Sequence, residues 1–313
     1  MGKRDIALAI YFEDEERYAD LINGFIFDGE PVVKAADILE KDAVVSGIVS
    51  RFKRRLSVRK YRDIIRKVVL NTDFVLVGLE NQDAVHYAMP VRVMMADAAG
   101  YDEQLRKVQK GHRLRRDLKG AEYLGGFAKS DQLRPVVTIV LYYGREPWDG
   151  ARDLLSLIGY DHLPEKLKPL INNYRIQVME IRNYPHISRF RTDLYQVFGF
   201  LQRAGNKEAE EEFTSQNQDI FRKIEEDAYD VIAALSGSKE LEDVKDKYRE
   251  EGGTINMCEA IKGMIEDGRL EGRIEKSRIA ARNMFLRGMS PEDAAAICEE
   301  DPALVREWFQ SWK

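Results

Sequence analysis

Cysteine is nearly absent: Cys258 and Cys298 are the only two in 313 residues, 40 positions apart, with no metal-ligand spacing around them. That excludes a disulfide framework and a thiolate metal cluster, and a reduced, cytoplasmic setting is expected. Histidine is scarce too, with four, and His86 has no partner at a useful spacing. No run approaches the ~18–20 apolar residues of a membrane span, so no membrane association is expected. Behind the charges of Met1-Gly2-Lys3-Arg4-Asp5 comes no apolar segment of the kind a secretory leader carries. Nor is there an excess of positive charge. The formal net charge is −5, so any nucleic-acid surface has to be local.

What the chain does have is charge of both signs, 33% of its residues against an ordinary ~25%, and enough length to bury a sizeable core. The patterning predicts an α/β domain over 1–200, a short mixed sheet with helices on both faces. An acidic helical appendage over 201–252 and a helical tail over 253–313 follow.

The most informative stretch is 61–82. The segment Phe74-Val-Leu-Val-Gly-Leu79 is apolar and ends abruptly in Glu80-Asn81-Gln82, as expected of a buried strand that delivers its last residues to an open edge. Alternation puts Glu80 and Gln82 on one face and Asn81 on the other. The preceding run 58–70 carries Asp63, and a turn around Asn71-Thr72-Asp73 folds both runs into a hairpin that lays Asp63 beside Glu80. Two carboxylates and an amide oxygen on one face form an all-oxygen site suited to a hard cation, Mg2+ first, with Mn2+ or Ca2+ as alternatives.

Around these acids the charge is positive. Between Arg51 and Lys67 nine of seventeen residues are basic, among them Arg54, Arg55, Arg59, Lys60 and Arg62, and Asp63 is the single acid. Such a run keeps Asp63 ionised and offers contacts to a phosphate backbone. A second basic run, including Arg113 and Arg116, lies at the end of a long helix predicted over 84–118, with Pro90 in or near its first turn. Tyr87 and Arg92, at the other end of that stretch, are candidates to face the cleft, with packing and surface roles as the alternatives. Convergence of the two runs would make the cleft electropositive in an acidic protein.

Elsewhere, one or two amphipathic helices are predicted within 5–28, a loop over 121–131, a central strand over 136–143 and another around 174–182. Trp148, in the turn Gly144-Arg-Glu-Pro-Trp-Asp-Gly150, is expected to pack against its own loop, and Glu180 to be structural. Between Gly205 and Glu251 fifteen acidic residues face seven basic ones, which excludes a nucleic-acid surface there. In the tail, Gly288 reads as a helix stop, Ser290 as an N-cap and Pro291 as the first residue of a helix, with a further helix capped by Asp301. Helix, turn and helix of this size resemble a DNA-reading unit, but with few basic residues an interaction or homo-oligomerisation element is the better expectation.

The order Asp63, strand, Glu80-Asn81-Gln82, helix resembles the PD-(D/E)XK nuclease core in the variant with Gln in place of Lys. Gly78-Leu-Glu-Asn-Gln-Asp-Ala-Val-His-Tyr-Ala-Met-Pro-Val-Arg-Val-Met-Met-Ala-Asp97, with Tyr101 and Gln104, is similar to the recombination-promoting nuclease family, also labelled transposases. Lys3-Arg-Asp-Ile-Ala-Leu8, Leu124-Gly-Gly-Phe127 and Pro135 to Gly150 match in the same order. The resemblance covers most of the first 200 residues. It implies metal-dependent hydrolysis of DNA phosphodiesters with little sequence specificity, in recombination or mobile elements. Asp63 and Glu80 would bind the cation, with the backbone carbonyl of Asn81 and, from the opening motif, Asp5 as further ligands. Gln82 would orient the attacking water or contact phosphate. The alternatives are a catalytically silent DNA-binding or assembly protein on the same fold, and an RNA-directed nuclease.

Overall fold

The computed structural model describes residues 2–39, 64–70 and 73–312, with the backbone alone at 65, 69–70 and 73–77. Two helices open the chain, α1 (Lys3–Tyr11) and α2 (Glu15–Ile26), the second capped by Asp14, whose side chain accepts the Arg17 amide at 2.8 Å. A mixed five-stranded sheet follows in the order β1 (Ile38–Leu39), β2 (Ile64–Leu70), β3 (Asp73–Gln82), β4 (Val136–Tyr142) and β5 (Gln177–Glu180). β1, β2 and β3 are antiparallel neighbours, whereas β3, β4 and β5 run parallel. A parallel pair needs a crossover, which α3 (Met89–Arg115) supplies between β3 and β4.

Register decides which side chains share a face. Ile64 pairs with Leu79, Leu79 with Ile139 and Glu80 with Val140. Leu79, Ile139, Leu141 and Met179 therefore pack against Leu8 and Tyr11 of α1, Leu21 and Ile22 of α2, and Val197 and Phe198 of α5 (Leu194–Arg203). On the opposite face Val140, Tyr142 and Val178 meet Met89 and Val93 of α3. Helices thus cover both faces, as the alternation predicts.

Differences from expectation are local. α3 starts at Met89 rather than 84, because Pro90, which lacks an N–H, belongs in a first turn. It ends where Arg116 turns left-handed, at φ 54°. The predicted loop after it holds one short helix, α4 (Gly120–Gly125), stopped by Gly126 at φ 65°.

A larger correction concerns 201–252. α6 (Lys207–Gln216), α7 (Gln218–Phe221), α8 (Glu226–Ser236) and α9 (Lys239–Val244) do not form an appendage. Phe213, Phe221, Ile224, Tyr229, Val231 and Ile232 belong to the same apolar core as the sheet, which extends to Ile261 in α10 (Met257–Leu286). Six of the acids in 201–252, Glu225, Glu226, Asp227, Asp230, Glu242 and Asp246, are held in ion pairs. Buried Arg17 binds Asp193 through two nitrogens at 2.9 Å, reaches Glu225 at 3.0 Å and pairs with Asp227. Arg249 and Lys245 hold Glu226 so firmly that its carboxyl pKa falls to about 2.

The tail follows its caps closely. Gly288 sits at φ 77°, Ser290 accepts the Asp293 amide, and Asp301 accepts the Ala303 amide. α11 (Pro291–Cys298) and α12 (Pro302–Ser311) build a small separate core with α10 from Ala281, Ala294, Ala295, Val305, Trp308 and Phe309. Among the described residues no helix is long and apolar enough to cross a membrane.

Candidate active site

Glu80 is fully buried on the α3 face of the sheet, three residues before the chain leaves β3 for the loop to α3. Arg92, in the first turn of α3, pairs through Nη2 with its Oε1. Gln82 projects to the same face two residues on, and its Nε2 donates to Glu80 Oε1 at 3.1 Å and to the carbonyl of Asn81 at 2.7 Å. Asn81, on the other face, is also buried. The strand alternation thus brings Glu80, Gln82 and the Asn81 carbonyl together, and the helix adds a cation.

Of the expected partners, Asp63, Arg54, Arg55, Arg59, Lys60 and Arg62 lie outside the described residues. Asp5 serves α1 instead, accepting the Gly2 amide at 2.9 Å where a helix N-terminus favours negative charge. Arg92 is directed onto Glu80 and not to an open groove. Arg113, twenty-one residues further along α3, stands ~31 Å away along the helix axis at 1.5 Å per residue, and Arg116 lies beyond it. These two line a separate hollow with Tyr123 and Leu124, so the second basic run does not converge on Glu80. Among the described residues no three His, Cys, Asp or Glu side chains are grouped to hold a metal.

Other residues of the quoted motifs have structural duties. Gln104 bonds both the amide and the carbonyl of Arg134, at 2.8 and 3.1 Å, and Tyr101 accepts the Val136 amide at 3.2 Å, so both fix the entry to β4. Buried Asp97 accepts from Thr138 Oγ1 at 2.6 Å and from the Tyr174 hydroxyl. Trp148 packs edge-on against Tyr142 and donates to the Gly150 carbonyl, as expected of a loop-packing residue. Glu180 accepts the Trp148 amide at 2.9 Å and pairs with Arg152. Arg66, from the first basic run, turns into the core and donates to the Glu13 carbonyl at 2.9 Å.

No protein-family model, no curated protein and no solved structure matches this chain. A further polar assembly at the end of the sheet gathers Arg4, Arg145 and Arg182. Arg4 and Arg145 stand inside the quoted motifs, but only folding shows that they meet.

Proposed function

We propose that the chain is a divalent-metal-dependent endodeoxyribonuclease of the PD-(D/E)XK kind, with Asp63 and Glu80 as the acidic ligands. The observation that carries this reading is the hairpin register. Ile64 pairs with Leu79. Asp63 is the residue before Ile64 in the chain, and Glu80 the residue after Leu79.

The described donors fit such a cation in kind. Mg2+ takes oxygen ligands, typically one or two carboxylates completed by waters and substrate phosphates, and Glu80, Gln82 and the Asn81 carbonyl are all oxygen donors. When bound, the cation polarises a phosphoryl oxygen and makes its water more acidic. Glu80 would hold it, released from Arg92. Gln82, tied to Glu80, would orient the water. Being neutral, Gln82 leaves the developing charge to guanidinium groups, with Arg92 the nearest described candidate. Support for a homo-oligomer through the tail comes from Leu270, Ile279, Leu286 and Ile297, apolar side chains exposed on α10 and α11.

A second reading is favoured by the Arg92–Glu80 pair itself. A buried carboxylate already neutralised by a guanidinium is what a catalytically silent DNA-binding or assembly protein on this fold would keep. Plasmid cleavage with Mg2+, Mn2+ or Ca2+, run beside Glu80→Ala and beside an RNA substrate, separates these readings. The nuclease reading expects metal-dependent nicking that falls to background in Glu80→Ala. Equal cutting by both proteins, or none by either, contradicts it.

A further inference from the structure

Beyond the carboxyl ends of β3 and β4, where Gln82 pairs with Tyr142, lies a cleft of about 720 Å³. Its volume is that of a small-ligand pocket, ~300–1,000 Å³, and open α/β sheets take their ligands at the carboxyl ends of parallel strands. The motif Tyr142-Tyr-Gly-Arg-Glu-Pro-Trp-Asp-Gly150, which the nuclease reading leaves without a task, forms much of its lining.

One wall is cationic. Three guanidinium groups from three separate parts of the chain gather on the last turn of α8. Arg4 Nε donates to the Ala234 carbonyl at 3.1 Å, Arg182 Nη2 to Leu235 at 3.0 Å, and Arg145 Nη2 to Ser236 at 3.5 Å. The negative end of a helix dipole attracts cations, but its partial charge of about −0.5 does not neutralise three of them. Half-buried Arg182 spends its other nitrogens on the carbonyls of Tyr143 at 2.9 Å and Leu201 at 2.6 Å. Neither Arg145 nor Arg182 has a carboxylate partner among the described residues. Arg4 shares Asp83 at 3.2 Å in an exposed pair. Burial, and then the nearness of Arg145 and Arg4, pushes the Arg182 pKa below its ordinary value. Like charges held this close call for an anion, and planar guanidinium forks match the oxygens of a phosphate.

The lining also holds carboxylates, Asp149 and Glu146 besides the Asp83 that pairs with Arg4. The Tyr87 hydroxyl donates to Asp149 at 3.2 Å, and the residue is 64% exposed. Carboxylates there repel a second anionic group but accept hydrogen bonds from hydroxyl or amino groups, and an exposed tyrosine ring offers a stacking face.

We propose that this cleft binds the phosphate monoester of a nucleotide, phosphate on Arg4, Arg145 and Arg182, sugar and base toward Asp149 and Tyr87. The same chemistry is offered by a free nucleotide and by the 5′-phosphorylated end of a DNA strand. The site stands whether or not Glu80 binds a metal.

The test is calorimetric titration of the full chain, in EDTA, with adenosine 5′-monophosphate, adenosine, and one DNA duplex with and without 5′-phosphates. Arg145 is exposed and makes one long bond, so Arg145→Ala is expected to keep the fold, checked by its thermal midpoint. Saturable binding of the monophosphate or the phosphorylated duplex is expected, at least ~tenfold weaker in Arg145→Ala, as for one lost charge-assisted hydrogen bond. Arg145→Lys should recover part of it. The tighter of the two ligands identifies the source of the phosphate. Failure of both to bind, adenosine binding as tightly as its monophosphate, or equal affinity in wild type, Arg145→Ala and Arg4→Ala would overturn the proposal.

Discussion

The guanidinium of Arg92, in the first turn of α3, closes onto the carboxylate of Glu80 at the end of β3. Glu80 is almost wholly enclosed there, its side chain 1% exposed against 29% for Arg92. Removing the guanidinium takes a directly paired cation away from a carboxylate in the interior. Arg92→Met is therefore expected to lower stability by ~3–5 kcal/mol, read from urea denaturation in EDTA. If Glu80 is a metal ligand, millimolar Mg2+ should restore part of that loss, since an ion binding only the native state stabilises it. A loss that Mg2+ leaves unchanged would mark the pair as purely structural.

At the far end of α3, His112 lies between two carboxylates, with Nδ1 2.7 Å from Asp117 and Nε2 2.7 Å from Asp131. The bond to Asp117 and then that to Asp131 raise the imidazole pKa above 6.5. Arg115, and then His112, lower the Asp117 carboxyl from 3.8 to about 2, and Asp131 is lowered chiefly by the Ala128 amide. The raised histidine contributes stability fully below pH 6.5 and loses it as pH rises through the folded value. The lowered acids contribute above 3.8 and lose it as pH falls through theirs. The latch between α3 and the segment 117–131 is thus tightest between pH 3.8 and 6.5. Proton NMR should give a His112 midpoint above 6.5 that drops in Asp117→Asn; a midpoint at or below 6.5 would contradict the geometry.

Asp97 ties α3 to β4 through Thr138 and to the approach to β5 through Tyr174. Asp97→Ala strands two hydroxyl donors and is expected to cost ~3 kcal/mol of unfolding free energy. Asp97→Asn, which keeps one acceptor oxygen, should cost less. Equal and small losses in both would show that the hydroxyls find other partners.

A Cβ on Gly199 would lie 2.2 Å from the Phe213 ring, so Gly199→Ala forces α5 away from α6. Overpacking of this kind costs ~1–3 kcal/mol, and Phe213→Leu in the same chain should recover part of it. Both elements share the core of the sheet. The expected denaturation is accordingly a single shifted transition, whereas separate early melting of 201–252 would restore the appendage view.

Much of this fold was legible where a local rule governs. The apolar run ending at Leu79 set β3, alternation put Glu80 beside Gln82, and the Ser290, Pro291 and Asp301 signals set the last helices to within a residue. Legibility failed where tertiary packing decides. Nothing local says that Arg92 turns onto Glu80, since that depends on α3 starting at Met89. The acidic count in 205–251 obscured Phe213, Phe221 and Tyr229, whose burial makes the region part of the core. The arginines of the cleft come from positions 4, 145 and 182, a grouping that no sequence spacing reveals.

Calorimetric titration of Mn2+ into wild type and Glu80→Gln, an isosteric change that leaves the strand packing in place, tests most directly whether Glu80 is a ligand for a divalent cation. Saturable heat in wild type that disappears in Glu80→Gln, and equally in Asp63→Asn, is the predicted result. No saturable heat in wild type, or the same isotherm in all three proteins, would contradict it.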